Sequence, residues 1–353
     1  MTFFASGSYV VSKSARFVDG AAAIAKKGRI VRAYAGTAYQ TDAFSLVDVP
    51  MPVPGPGEVR LHIRAAALGF VDGLMVRGRY QIRPPLPYVP GGEIAGVIDA
   101  VGPEVAGSFI GQRVATWQLG GGLGEYIVLP ANEAYPIPHA LPFETAAAML
   151  VDYQTAHYAL NHRAQLRAGE TILVLGAAGA VASAAVQLAL QTGAYVIAAA
   201  STNEKRQAAL DLGAHASVDY GLENWRDALK RVAPSGTVDV VFDPVGGSTF
   251  EPAFRSLGKD GRHLVLGFTA GRIPSLPANL PLLKSASLVG VDIRHFLASQ
   301  PEAAQRARSS LFDLVASGKL KAPQLVTYPL EQAARAIEAA MARAKTGKVV
   351  VLP

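Results

Sequence analysis

The chain has 353 residues, half of them hydrophobic and 17% charged, which suits two folded domains with a sizeable core and excludes a disordered chain. It holds no cysteine, which excludes disulfides, thiol nucleophiles and every cysteine-ligated zinc site. The formal net charge is +6, but residues 1–32 carry Lys13, Arg16, Lys26, Lys27, Arg29 and Arg32 against Asp19 alone, so the rest of the chain is near neutral and the basic pI does not argue for nucleic acid.

Residues 1–27 are poor in acids and rich in Ser, Ala and basic residues, without the uninterrupted apolar segment of a secretory signal. We expect a basic extension and a cytoplasmic protein. The alternative is a transit segment, with a mitochondrial location. From Gly28 the pattern turns to strands, Ile30 to Tyr34 and Phe44 to Val49. The run Pro50 to Gly57 reads as a rigid link, because proline removes ladder donors. Glu58 to Ala67 alternates, with Val59, Leu61 and Ile63 on one face and Arg60, His62 and Arg64 on the other. Asp72 to Arg77 reads as a short helix with Asp72 at its N-cap. Pro84, Pro85, Pro87 and Pro90 keep the next stretch extended. Ile94 to Val101, Arg113 to Trp117 and Tyr126 to Leu129 are further strands. Many short strands between Gly and Pro turns predict a small, partly open β-barrel. Pro142 to Leu160 is helical.

The organising stretch is Thr171 to Ser201. A short apolar strand, Thr171 to Leu175, meets the small-residue turn Gly176-Ala177-Ala178-Gly179. Val181, Ala185, Leu188 and Ala189 follow at helical spacing; Gly193 ends that helix, and Tyr195 to Ala199 begins a strand. This is a βαβ unit, whose turn aims backbone N–H groups from a helix N-terminus at an anion such as a dinucleotide pyrophosphate. Set against GxGxxG, it reads Ala177-x-Gly179-x-x-Ala182, so only the middle glycine is kept. An ordinary tight turn competes with that reading. A membrane span does not, because Gly176, Gly179, Gln187, Gln191 and Gly193 fall at turns and exposed positions.

Downstream, strands at Ser217–Tyr220, Val238–Asp243, Arg262–Gly267 and Ser287–Ile293 alternate with helices at Glu204–Leu212, Asn224–Val232 and Thr249–Leu257. That alternation predicts an α/β domain with a doubly wound parallel sheet of Rossmann type. Pro301 to Ser317 and Glu331 to Ala344 are amphipathic helices, and Lys348 to Leu352 is a strand able to rejoin the first domain.

Several runs together, in this order, resemble the zinc-free quinone oxidoreductase family of the medium-chain dehydrogenase/reductase superfamily. They are Tyr80 to Pro87, Pro90-Gly91-Gly92-Glu93 to Val97, Val101 to Val105, and Gly111-Gln112-Arg113-Val114. Further along come Gly169-Glu170-Thr171, Glu204-Lys205 with Leu212-Gly213-Ala214, Asp243-Pro244-Val245-Gly246-Gly247, and Gly347-Lys348. The resemblance covers about residues 28–353. It implies a GroES-like, partly open barrel (28–144 and 296–353) and a Rossmann domain (145–295), with a reaction cleft between them. The zinc-binding cysteine and histidine of related alcohol dehydrogenases are replaced near Phe70 and at Gly92, so no metal site is expected. Gly69 stands where relatives carry an asparagine, and Ala180 and Ala182 replace glycines of the phosphate turn.

An NAD site places an acid at the end of the second strand, against the ribose 2′-OH. Here that end is Ala199-Ala200-Ser201, followed by Lys205 and Arg206, which favours the 2′-phosphate of NADPH. The competing reading is a capping box, Ser201-Thr202-Asn203-Glu204. Expected cofactor contacts are Ala178, Gly179, Ala180, Val181, Ser201 and Lys205. Tyr220 is set against an aromatic sheet rim, and Val245, Gly267, Phe268 and Thr269 against plain strand-to-loop turns. Thr155 is a further expected cofactor contact. The resemblance also points to Tyr80 as donor to an acceptor oxygen and to Asp72 as an active-site acid. A packing tyrosine and a helix cap are the competing readings. The expected activity is hydride transfer from NADPH to a quinone or other electron-poor small molecule. Reduction of conjugated enals, enones or enoyl thioesters is the alternative. A non-catalytic NADPH-binding structural or RNA-binding protein is the reading from another class. No nucleic-acid partner or membrane span is expected, and a homodimer is.

Overall fold

The computed structural model describes residues 29–342 and 347–353; the expected extension 1–27 lies outside the described residues. The chain forms two compact units. One holds the described residues up to Pro136 with Thr327–Ala342 and Val349–Pro353, and the other holds Ile137–Val326 with Gly347 and Lys348.

In the first unit, β1 (Ile30–Gly36) and β2 (Phe44–Pro50) pair antiparallel, from Ile30 opposite Pro50 to Gly36 opposite Phe44. The central strand is β3 (Glu58–Leu68), which runs straight into α1 (Phe70–Val76). It pairs antiparallel with β4 (Glu93–Val101) along most of its length and, over Glu58–His62, also with β6 (Tyr126–Pro130); β5 (Arg113–Trp117) and β7 (Tyr135–Pro136) extend the sheet beyond β4. The alternation read in β3 decides which face is buried. Val59, Leu61 and Ile63 join Ile94, Ile98, Val114, Ile127 and Leu129 in one core. On the other face Arg60 reaches Asp99 through two nitrogens, at 2.9 and 3.0 Å, and His62 stacks on its cross-strand neighbour Tyr126.

In the second unit, α2 (Phe143–His157) leads to β8 (Thr171–Leu175), α3 (Ala180–Thr192) and β9 (Tyr195–Ala199). Then come α4 (Asn203–Asp211), β10 (Ala216–Val218), α5 (Trp225–Val232), β11 (Val238–Asp243), α6 (Phe250–Arg255) and β12 (Leu257–Val265). The unit continues through α7 (Asn279–Lys284), β13 (Ser287–Gly290), α8 (Ile293–Ser299) and α9 (Pro301–Ala316). Spatial order is β10-β9-β8-β11-β12-β13, all parallel, so the strand order reverses between β8 and β11. Every residue of β8 is buried: Leu173 and Leu175 enter a core with Trp225, Leu229 and Phe254, while Ile172 and Val174 are covered on the other face. The chain returns through β14 (Leu325–Pro329) and α10 (Ala333–Met341), and β15 (Lys348–Leu352) pairs with the end of β3, Val349 opposite Leu68.

Four sequence expectations shift. Residues 137–144 and 296–326, expected in the barrel domain, pack with the parallel sheet. Gln154 on α2 donates to the Ala304 carbonyl on α9 (2.9 Å), and the Lys321 N–H donates to Gln187 on α3 (2.7 Å). An amphipathic pattern reports that a face is buried, not against which sheet. The last strand stops at Gly290, because Asp292 caps α8 by accepting the Arg294 N–H (3.0 Å). β12 starts earlier than its apolar run, at Leu257, which pairs with Val238; Arg262 pairs with Val240, and the residues between, with Asp260 at φ 61°, bulge out of the ladder. The cap of α1 is Gly69; Asp72 occupies the third helical position.

Arg262 of β12 grips Glu170, which precedes β8, through both carboxylate oxygens at 2.8 and 2.9 Å, and also donates twice to the Ala164 carbonyl. Burial pushes the Glu170 carboxyl up, but the Arg262 and Arg167 bonds outweigh it and hold it below its ordinary value. A depressed carboxylate adds stability above its unfolded pKa and loses it as pH falls through the folded one. Replacing Arg262 with Met should therefore cost roughly 1–3 kcal/mol at neutral pH. The deficit should shrink on acidification below the ordinary carboxylate range, as read by denaturant melts of both proteins at several pH values.

Candidate cofactor and active site

The turn after β8 is built for close approach. Gly176 has φ 62°, and a Cβ there would stand 3.0 Å from the Val245 side chain. The Ala177 N–H donates to Ala199 at the end of β9 (3.1 Å), and the Gly179 N–H closes the turn on the Gly176 carbonyl (2.7 Å). Gly179 caps α3, whose first helical bond runs from the Ser183 N–H to the Gly179 carbonyl (2.8 Å). The N–H groups of Ala180, Val181 and Ala182 thus have no helical acceptor, at the positive end of a 13-residue helix. That is the donor set a dinucleotide pyrophosphate requires, with Ala178 and Gly179 beside it.

At the end of β9, Ser201 hydrogen-bonds Tyr220 beyond β10, so these two expected contacts meet. Burial raises the Tyr220 phenol, and the Ser201 bond works the other way. The cap of α4 is Thr202, whose hydroxyl accepts the Lys205 N–H (3.3 Å). The cap is therefore displaced by one residue from the expected box, the third helical position is Lys205 rather than Glu204, and Ser201 stays outside the helix. Lys205 sits half-buried in the first turn. Arg206 is engaged elsewhere. It donates to Asp219 (2.6 Å) and to the Ala200 carbonyl (3.2 Å), while the other Asp219 oxygen accepts the Gly221 N–H (2.8 Å). Sequence reasoning missed Asp219 because it looked for an acid at the end of β9, not of β10.

A third loop joins at β11. Asp243 is 1% exposed; one oxygen accepts the Val245 and Gly246 N–H groups (2.7 and 2.8 Å), and the other meets His263 Nε2 at 3.0 Å. Because the carboxylate acts only as acceptor, the wholly buried imidazole serves it as donor through Nε2. The Pro244 carbonyl takes the Thr269 N–H and hydroxyl (3.2 and 3.1 Å), and the Val245 carbonyl takes the Ala270 N–H (3.0 Å). A Cβ on Gly246, which has φ 63°, would reach within 2.9 Å of the Phe268 ring. Val245, Gly267, Phe268 and Thr269 are thereby assembled with the Gly176 turn at the strand-order reversal, where ligands of such sheets lie. His263 was missed. Its only signal in the sequence is a histidine inside an apolar strand. Thr155 lies half-buried on α2, and among the described residues its side chain makes no hydrogen bond to this assembly.

In the first unit, Asp72 is buried. One oxygen accepts the Gly69 N–H (2.7 Å) and the other the Gly91 N–H (3.2 Å), tying α1 to the Pro90-Gly91-Gly92-Glu93 segment. Gly69 is extended (φ −105°), a conformation open to any residue. Tyr80 is half-buried against a core containing Tyr34, Met75 and Tyr88, and its hydroxyl makes no hydrogen bond among the described residues. No cluster of three potential metal ligands occurs among the described residues, and none of their helices is long and apolar enough to cross a membrane.

Residues 55–139 match the alcohol dehydrogenase GroES-like domain family, and residues 180–309 match the zinc-binding dehydrogenase family. The chain is 34% identical over 299 residues to a quinone oxidoreductase-like protein 2 homolog of Nematostella vectensis, covering 84% of this chain and 82% of that one. It is 37% identical to quinone oxidoreductase-like protein 2 of Bos taurus, covering 86% of each. A mycobacterial protein solved in complex with NADPH superimposes with TM-score 0.82 at 31% identity, covering 91% of this chain and all of that one. The chain belongs to the quinone oxidoreductase family of the medium-chain dehydrogenase/reductase superfamily, and is with that family an NAD(P)-dependent oxidoreductase.

Proposed function

We propose that this protein uses NADPH to reduce a quinone or another electron-poor carbonyl acceptor, without a metal. The observation that carries the cofactor choice is the end of β9. It offers a hydroxyl, Ser201, and a cation, Lys205; of the carboxylates nearby, Asp219 is paired with Arg206 and Glu204 is bonded to the Thr202 cap. A 2′-phosphate fits such a neighbourhood, and no acid is placed there to prefer a bare ribose. The quinone reading is supported by the names of the relatives and by the absence of cysteine.

NADPH, when bound, supplies the hydride. The chain's own residues bind and orient. The free N–H groups of Ala180, Val181 and Ala182 hold the pyrophosphate, Ser201 and Lys205 take the 2′-phosphate, and Tyr220 flanks the adenine. Val245 and the Gly267-Phe268-Thr269 loop, fixed by Asp243, line the nicotinamide end. We assign Tyr80 as the donor to the acceptor oxygen, on which negative charge develops. Asp72 has both oxygens on backbone donors and acts by positioning the Gly69 and Gly91 segments.

The exposed side of β13 suits a homodimer. β13 ends the sheet, and Leu282, Leu283 and Leu288 beside or on it are 78%, 75% and 47% exposed.

Lys205→Ala should weaken NADPH by about 1–2 kcal/mol, the worth of one charge-assisted contact, and leave NADH nearly unchanged. The Thr202 cap accepts the Lys205 backbone N–H, so the helix start survives the substitution. Calorimetric titration of both cofactors decides this, and equal losses would remove the 2′-phosphate assignment.

Tyr80→Phe should lower turnover about ten- to a hundredfold, within the range for one lost donor to a developing oxyanion, with NADPH affinity unmoved. Gly69→Asn should raise quinone turnover, because the extended backbone at Gly69 accepts asparagine, a favoured N-cap, without strain. Steady-state rates against a panel of quinones and enones test both. Full turnover in Tyr80→Phe would leave Tyr80 a packing residue.

Light scattering at micromolar concentration should give a dimer. Leu288→Lys should yield a folded monomer, since a charge on the paired edge opposes association.

A further inference from the structure

In the second unit, an open cavity of about 380 Å³ lies beside Gly247, two residues past Val245. None of its lining residues belongs to the Gly176 turn or to the Ser201–Tyr220 pair. Its wall carries three arginines from separate segments: Arg226 on α5, Arg255 on α6 and Arg272 in the loop after β12. One acid, Glu251, lines the same cavity and is taken by Arg255 (2.8 Å). Ser248 and Ser275 add hydroxyls that make no hydrogen bond among the described residues.

The charge is not balanced inside the protein. Arg226 spends its donors on neutral acceptors, the Ser256 hydroxyl (3.4 Å) and the Arg255 carbonyl (3.2 Å). Arg272 makes no side-chain hydrogen bond or ion pair among the described residues. The nearby Lys284 amine, bonded to the Leu257 carbonyl, is pushed below its ordinary value, first by burial and then by the charges of Arg226 and Arg255. Cations that outnumber the acids in one concavity repel one another, and the repulsion is relieved when an anion enters. Arginine forks match phosphate oxygens in particular.

We propose that this cavity binds the phosphate group of an organic phosphate, at a site distinct from the dinucleotide site. Size argues for an organic phosphate over the bare ion. A water molecule takes about 30 Å³ of liquid, whereas small-molecule sites begin near 300 Å³. The cavity therefore has room for a phosphorylated group of about nucleoside size, anchored by Arg226 and Arg272, with Arg255 held back by Glu251.

Calorimetric titration of the full-length protein, first without NADPH and then saturated with it, tests the site with two probes, adenosine 3′,5′-bisphosphate and inorganic phosphate. We expect the bisphosphate to bind the NADPH-saturated protein, and Arg272→Glu to weaken it at least tenfold. Glu251→Gln, which releases Arg255, should tighten it several-fold. Both changes lie at the surface, and unchanged thermal melting curves would show that the fold is kept. Tighter binding of the bisphosphate assigns the site to organic phosphates. Equal affinity for inorganic phosphate assigns it to the free anion, against the size argument. Two results overturn the proposal: no binding of either probe to the NADPH-saturated protein, or binding indifferent to Arg272→Glu. Binding lost on NADPH saturation would place the probe in the dinucleotide site and overturn it equally.

Discussion

Asp243 is a carboxylate that folding has removed from water, and the cofactor edge of the parallel sheet follows from how its charge is satisfied. A buried carboxylate without partners would cost several kcal/mol. Two consecutive backbone N–H groups and the His263 imidazole supply the partners, and in doing so they bend the chain after β11 into one fixed loop. The Pro244 and Val245 carbonyls then face the loop after β12 and capture Thr269 and Ala270. Gly176, lacking a side chain, lets Val245 approach the turn after β8. Three loops far apart in sequence are held together from a single acid.

The neighbouring edge is governed by charge rather than packing. Two cations follow β9, and the fold divides them: Arg206 is consumed by Asp219 and the Ala200 carbonyl, and Lys205 sits on the first turn of α4. Without the Arg206 pair, Asp219 would present an unpaired carboxylate beside Tyr220. The ion pair thus balances the charge at this edge, besides the modest stability that a largely buried pair adds.

In the first unit a buried acid again organises backbone. Asp72 satisfies N–H groups on both sides of the sheet's end, Gly69 after β3 and Gly91 before β4, so the segment that begins α1 and the one that enters β4 are fixed relative to each other. Tyr80 follows in the loop after α1, anchored by the apolar core around Tyr88. Its ring supplies packing, and its hydroxyl makes no hydrogen bond among the described residues.

The strands and helices around Thr171–Ser201 were legible because periodicity is a local property. Alternation in β3, helical spacing in α3 and the glycine turn between β8 and α3 each follow from side chains a few residues apart. The order of motifs likewise identified the family, and the lack of cysteine excluded thiolate zinc sites. What the sequence could not settle were facts of distance. That α9 packs on α2, that Asp219 neutralises Arg206, and that His263 reaches Asp243 across the sheet all join residues 13 to 150 positions apart. A single chain carries no signal for such contacts, since each residue has an unremarkable local role. The caps of α1 and α4 shifted for a related reason. Several neighbouring polar residues can each cap a helix, and tertiary geometry chooses which backbone N–H each one finds.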